Sequence, residues 1–390
     1  MHQTWNQHVV KKENKTLVLK IIKEHAPISR AHIAQVTGLN KGTVSSLVSE
    51  LLSEQLITES GHGQSSGGRR PMMLLFNEVA GYSIGLDLGV NYLLGMLTNL
   101  NGDVVIQRKI EFSSLSYEEI TEKLFATIDE LIASAPKSAY GIVGIGIGVP
   151  GIVDNEGTIL LAPNLGWKKI NLRKVLHQRY NLPITIENEA NAGAYGEKMF
   201  GAGQSYKNII YVSVGIGIGV GLILNGELYK GNKGFSGELG HMTIEVNGLA
   251  CRCGNRGCWE LYASEQALVK RVKELDILDN QDITLEKINE LAHQGHSQII
   301  DLLDDIGSYL GVGINNIINT FNPEQVIIGN RMAASNTWIK ASMENRIFNY
   351  SLNFHQDDLI INFSSLTTHS AALGVAAFAI DNFLEVDLVQ

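Results

Sequence analysis

The residues best suited to chemistry crowd into one stretch, Gly237 to Glu260, which reads GELGHMTIEVNGLACRCGNRGCWE. All three cysteines of the 390-residue chain, Cys251, Cys253 and Cys258, lie there, and His241 stands ten positions before the first. One imidazole and three thiolates complete the four-ligand tetrahedron that structural zinc prefers, and donors this soft argue against magnesium or calcium. A disulfide is the poorer reading. No stretch reads as a secretory signal, and thiols of a cytosolic protein bind metal or do chemistry more often than they pair. The expectation is one structural zinc per chain, held by His241, Cys251, Cys253 and Cys258.

GELGH followed by CxCGxxGCxE resembles the signature of the ROK family, a name built from repressor, open reading frame and kinase. The resemblance runs over roughly residues 80 to 390. It implies a metal-braced loop whose carboxylates and imidazole touch a sugar, making Glu238, His241 and Glu260 sugar ligands. His241 would then serve sugar through one ring nitrogen and zinc through the other. Upstream, Val149 to Ile152 resembles the family's loop beneath the sugar, and Ala162 to Trp167 resembles its APNLGW run, whose asparagine, here Asn164, contacts a hydroxyl.

Asn188 and Glu189 follow in IENEANAGAYGE. The family's kinases carry aspartate at the position of Glu189 as general base. The extra methylene displaces the carboxylate by about 1.5 Å, and misplacement by about 1 Å can cost about a hundredfold in rate. Glu189 can still accept a hydrogen bond. Taken alone, Asn164, Asn188 and Glu189 read equally well as caps and turn residues; with the motif around them, the converging carboxylates, amides and imidazole suit a polyhydroxyl ligand.

Three stations that serve the nucleotide in the kinases depart from pattern here. The phosphate-cradling DLGGT stands as Asp87, Leu88, Gly89, Val90, Asn91. The second glycine loop, Gly215 to Gly221, places Ile216 where a polar contact belongs, and Gly329, Asn330 and Arg331 replace paired glycines after FNPE. Backbone amides cradle a triphosphate only where glycines let them approach. The expectation is therefore a protein that is not an enzyme.

Positioning these residues needs several elements. At 44% hydrophobic residues, the chain can bury cores for two or three domains. The net charge of −9 divides into +4 over residues 1–77 and −13 over the rest, a basic head on an acidic body. Such a head suits phosphate contacts. Apolar spacing predicts helices over Asn14 to His25, with Leu17, Val18, Ile21 and Ile22 inward, over Arg30 to Thr37, with Ile33, Ala34 and Val36 inward, and over Lys41 to Gln55. Ser29 caps the second helix and Gly38 ends it.

A plain three-helix bundle has the same spacing. The alternating runs Leu56 to Glu59 and Met72 to Phe76, joined by GHGQSSGGRRP, add a wing. Residues 10–76 resemble the winged helix-turn-helix of ROK repressors, with Ser29, Arg30, Lys41, Thr43, Ser45, Ser46, Arg69 and Arg70 toward DNA.

From Gly81 the order strand, turn, strand, turn, strand, helix, strand resembles the first lobe of the actin-like ATPase and sugar kinase fold. The fold class is α/β: a two-lobed body of ROK type behind a winged helix-turn-helix domain. The expected domains are residues 1–77, a first lobe of 78–187 with the closing helix 371–390, and a second lobe of 188–370. Small residues in the helix from Ser297 to Thr320 serve packing within the lobe or across a dimer.

No stretch is a credible membrane span, and a cytoplasmic homodimer is expected. Within the family the SSGGRRP wing, the GVNY departure and the NEAN run are most similar to the xylose repressors of low-GC Gram-positive bacteria. That resemblance implies operator DNA as partner and D-xylose as the sugar effector. The alternative is an ATP-dependent sugar kinase carrying an appended head.

Overall fold

The computed structural model describes residues 7–62, 71–113, 115–277 and 283–386. In the head, α1 (Gln7–His25) starts earlier than its periodicity predicts, because Val9 and Val10 are exposed and leave no core signal. Val18, Leu19 and Ile22 are buried. Leu17, expected inward, is 38% exposed, since the small head covers only the arc of α1 facing the next two helices.

The two-residue strand β1 (Ile28–Ser29) leads into α2 (Arg30–Thr37), where Ser29 Oγ accepts from the His32 amide and Gly38 closes the helix at φ 71°. Val36 is 48% exposed rather than inward, because nothing covers the last turn of α2; Ile33 carries its contact with the core. Helix α3 (Lys41–Ser53) is capped by Asn40 and stops short of the expected Gln55, which takes a left-handed φ of 58°. The wing strands β2 (Ile57–His62) and β3 (Met72–Phe76) pair antiparallel, with β1 added on the far side of β3. Arg69 and Arg70 lie outside the described residues.

The body contains one strand pattern twice. The first sheet is built from β4 (Tyr82–Leu88), β5 (Tyr92–Asn99) and β6 (Val104–Glu111), an antiparallel meander. After α4 (Tyr117–Ser134), β7 (Ile142–Val149) joins β4 in parallel. A small sheet of β8 (Ile152–Val153), β9 (Ile159–Ala162) and β10 (Trp167–Ile170) follows, then α5 (Leu172–Tyr180) and β11 (Ile184–Asn188), parallel to β7. Helix α6 (Glu189–Phe200) leads to the second lobe. There β12 (Ile209–Val214), β13 (Ile218–Leu224) and β14 (Glu227–Leu228) repeat the meander.

Helices α7 (Glu260–Ala263), α8 (Glu265–Glu274), α9 (Leu285–His293) and α10 (Ser297–Phe321) precede β15 (Gln325–Gly329). Helix α11 (Asn336–Tyr350) then leads to β16 (Ile360–Phe363), and α12 (Ser370–Val386) ends the chain's described part. The orders β11-β7-β4-β5-β6 and β16-β15-β12-β13-β14 match strand for strand.

Each lobe ends in a helix that crosses to the other: α6 packs on β12 and β13, α12 on β4 and β7, and the two helices pack on each other. A Cβ on Gly374 would stand 1.7 Å from Ala192 O, and one on Gly196 2.1 Å from Ser370 O, so the helices meet backbone to backbone. Buried Glu197 of α6 accepts from Ser364 Oγ and, at 2.8 Å, from Ser370 Oγ at the start of α12. The far end of α12 enters the head. Ile380 and Phe383 share one core with Val18, Ile22, Leu51, Leu100 and Val143. Tyr140 meets Phe383 edge to face at 4.9 Å and donates to Glu54 O at 2.9 Å.

The small residues of α10 pack inside the lobe: Gly307 and Gly311 admit α11, and Gly313 lies under the Trp259 indole. Phe383→Ala should lower the free energy of unfolding by about 3–5 kcal/mol. Urea denaturation followed by circular dichroism reads this directly; an unchanged midpoint and slope would contradict the shared core.

Candidate functional site

A cleft of about 480 Å³ opens between the lobes, at the carboxyl ends of the parallel strands, where open α/β sheets bind ligands. Gly89 to Tyr92 line it from the first lobe; Gly215 to Val220, Ser236 to Glu238, His241, Glu260, Asn330 and Arg331 line it from the second. Asp87, the next-to-last residue of β4, is 2% exposed and accepts from Tyr92 Oη at 2.6 Å through one oxygen while the other has no partner. Glu189 begins α6, and its Oε1 accepts from Ser213 Oγ at 3.0 Å and Asn330 Nδ2 at 2.6 Å.

Burial pushes the Asp87 carboxyl well above its ordinary range; the Glu189 charge adds to that and the Tyr92 hydrogen bond opposes it. Burial also raises Glu189, against the lowering effect of its bonds from Ser213 and Asn330. Two desolvated carboxyls side by side cannot both ionise cheaply.

The other expected sugar residues sit around this pair. Asn188 is the N-cap of α6: its amide oxygen accepts from the Ala190 and Asn191 amides, and its nitrogen donates to Gly151 O at 2.8 Å. The side chain therefore shapes the loop beneath the cleft and keeps little capacity for a ligand. Asn164 lies exposed on the rim, in the turn between β9 and β10. Glu238 is exposed on the opposite wall. Glu260 lies so close to the glycine turn that a Cβ on Gly217 would come 2.7 Å from its Oε2.

His241, Cys251, Cys253 and Cys258 gather with all four ligand atoms within 4.8 Å of one another. His241 Nδ1 is 3.8 Å from Cys251 Sγ, and Cys253 Sγ is 3.7 Å from Cys258 Sγ. A tetrahedral centre with bonds near 2.3 Å has edges of about 3.8 Å, so the donors fit a divalent metal. With Nδ1 on the cysteine side, Nε2 is left for the cleft that His241 lines. Glu260 Oε1, 3.5 Å from Nδ1, ties this cluster to the cleft wall.

Neither Ser213 nor Tyr92 stands out in the sequence as a site residue, and Asn330 reads there only as a lost glycine. A small polar side chain near the end of the apolar run IIYVSV was the available signal for Ser213. On the head, Lys41, Ser45 and Ser46 are exposed along α3 and Thr43 is half-buried. Ser29 spends its hydroxyl on the cap, and Arg30 pairs with Glu59 at 3.1 Å, so both brace the head's own elements.

A winged helix packed against two matched lobes around a polar cleft is the build of a ligand-regulated DNA-binding protein on a sugar-kinase body. The chain belongs to the ROK family: the family model "ROK family" matches residues 83–382, and "Winged helix-turn-helix DNA-binding" matches residues 12–58. It is 47% identical over 383 residues to the xylose repressor of Bacillus subtilis, covering 98% of both chains. Among solved structures, a ROK family transcriptional regulator described as a homolog of the E. coli MLC protein aligns over 98% of this chain and 99% of that one, with a TM-score of 0.83 and 29% identity. A ROK family glucokinase from Streptomyces griseus, in complex with glucose and AMPPNP, aligns over 77% of this chain and 100% of its own, with a TM-score of 0.71 and 27% identity.

The raised Asp87 value fixes a sign. Stability linked to it is complete below the ordinary carboxylate range and is lost as pH climbs toward the raised value. Asp87→Asn removes that titration. As pH rises above the ordinary carboxylate range of about 4, the wild-type Tm should fall relative to Asp87→Asn; parallel curves of Tm against pH would contradict a carboxyl raised by burial.

Proposed function

We propose that the protein is a sugar-responsive transcriptional repressor, that it binds operator DNA as a homodimer, and that D-xylose in the cleft releases it. The observation that carries this reading is the path of α12 from the cleft helix to the head. Helix α6 begins at Glu189 in the cleft and crosses α12 at Gly374. Nearer the head, Tyr195 of α6 stacks on Phe378 at 4.1 Å and donates to Asp381, which also draws on the charges of Lys23 and Lys20. A sugar that prefers one arrangement of the lobes thereby biases the head, which is coupling through differential binding.

The similarity to the Bacillus subtilis xylose repressor supports D-xylose over other small sugars. The winged helix-turn-helix match supports the homodimer, since such modules characteristically read paired half-sites as two-fold dimers. Operator DNA as partner supports a cytoplasmic location. Among the described residues no helix is long and apolar enough to cross a membrane. An enzymatic role is disfavoured because Glu189 Oε1 is held by Ser213 and Asn330 and Ile216 lies in the glycine turn.

The Cys/His cluster takes zinc, whose double positive charge the three thiolates more than offset, while the ion holds His241 against the cleft. His241 and Glu260 would orient sugar hydroxyls, and Glu189 would accept from one.

Fluorescence anisotropy with promoter DNA tests the reading: saturating D-xylose should weaken operator affinity by about 5- to 150-fold. Unchanged affinity, or sugar-dependent ATP turnover at ordinary enzyme rates, would refute it. Lys41→Ala, which removes two phosphate contacts per dimer, should reduce the salt slope of operator binding by about 1.8 while leaving sugar affinity unaltered. Elemental analysis should find one zinc per chain, and the zinc-free Cys253→Ser protein should bind D-xylose at least about tenfold more weakly, in the range seen when a metal site's supporting contacts are lost; intact sugar binding without zinc would contradict the bracing role.

A further inference from the structure

Asn330, the residue after β15, holds φ 65° and ψ −163°. Only glycine enters this region without strain, and any other residue stays there only when its surroundings over-determine it. Those surroundings are visible. Asn330 Nδ2 donates to Glu189 Oε1 at 2.6 Å and to Ser213 Oγ at 3.0 Å, while Oδ1 accepts from the Arg331 amide at 2.7 Å. Arg331 is pinned in turn by a two-pronged bond to Glu265 at 2.8 and 3.0 Å, and the Glu265 amide donates to Gly215 O at 2.9 Å. The Asn330 amide also covers the glycine turn, where a Cβ on Gly215 would stand 3.1 Å from Nδ2.

The consequence falls on Glu189. With Oε1 taken by two donors, Oε2 is the oxygen left to accept from a ligand, in a fixed direction. A hydrogen bond from a neutral amide favours the charged carboxylate without adding a charge of its own, so Glu189 is kept as an acceptor even though Asp87 lies close by.

We infer that Asn330 is the positioning residue of the cleft: its strained backbone delivers a side-chain amide that orients Glu189 as a hydrogen-bond acceptor for a neutral sugar hydroxyl. The inference rests on the sugar-binding reading above. The strain is the cost of placing that amide where the backbone pattern calls for glycine.

Two variants of the full chain separate amide from backbone. Asn330→Gly removes both strain and amide, whereas Asn330→Ala removes the amide and keeps the strain. Asn330→Gly should fold with a Tm at or above that of wild type, yet both variants should bind D-xylose at least about tenfold more weakly by calorimetry, since hydrogen bonds to charged groups are worth that much. The Glu189 carboxyl, followed by carbon-13 NMR and assigned with Glu189→Gln, should titrate at higher pH in both. D-xylose affinity within about twofold of wild type in folded Asn330→Gly would overturn the inference, the change then lying below that of a single hydrogen bond. If the wild-type protein binds no D-xylose, the sugar reading fails instead, and the Glu189 resonance decides alone: an unmoved midpoint overturns the positioning role and a raised one supports it.

Discussion

The crossing of α6 and α12 is the contact on which the rest of the molecule depends. Gly374 against Ala192 and Gly196 against Ser370 bring the two backbones together with no side chain between them. Interfaces packed this closely switch between discrete arrangements more readily than they deform. Each helix belongs in sequence to one lobe and packs on the sheet of the other, so a change in lobe angle must pass through this crossing. Buried Glu197, held by Ser364, Ser370 and the Ala202 amide, fixes its register.

Around that crossing, two devices hold the cleft walls. The Cys/His cluster draws the GELGH segment and Glu260 onto the glycine turn, and Val220 N donating to Gly237 O at 3.2 Å sews the same segment to β13. On the far side, Arg331 and Glu265 clamp the residues after β15 to the start of α8. The walls are therefore set by the Cys/His cluster and an ion pair; the apolar cores lie behind them.

Much of this was legible in the sequence because it rests on residue type and spacing: three cysteines within eight positions, an asparagine-glycine hairpin at Asn101 and Gly102, apolar stripes at helical period in α3 and α4. What escaped reading depended on tertiary contact. Helix α6 contains Gly193 and Gly196, poor helix formers tolerated because Tyr211 and α12 press against them. Helix α11 buries only Ile339, Ser342, Met343 and Ile347 among fifteen mixed residues, too weak a stripe to register. The Asn330 conformation escaped because residue identity alone does not reveal φ, whereas the cap at Asn188 was one of the two readings its sequence left open.

If occupancy of the cleft reaches the head, its path runs through α12. Hydrogen exchange by mass spectrometry, on the full chain with and without saturating D-xylose, tests it most directly. Altered protection is expected in α6, along α12 and into α1. Altered protection confined to the cleft loops, with α12 and α1 unchanged, would contradict it.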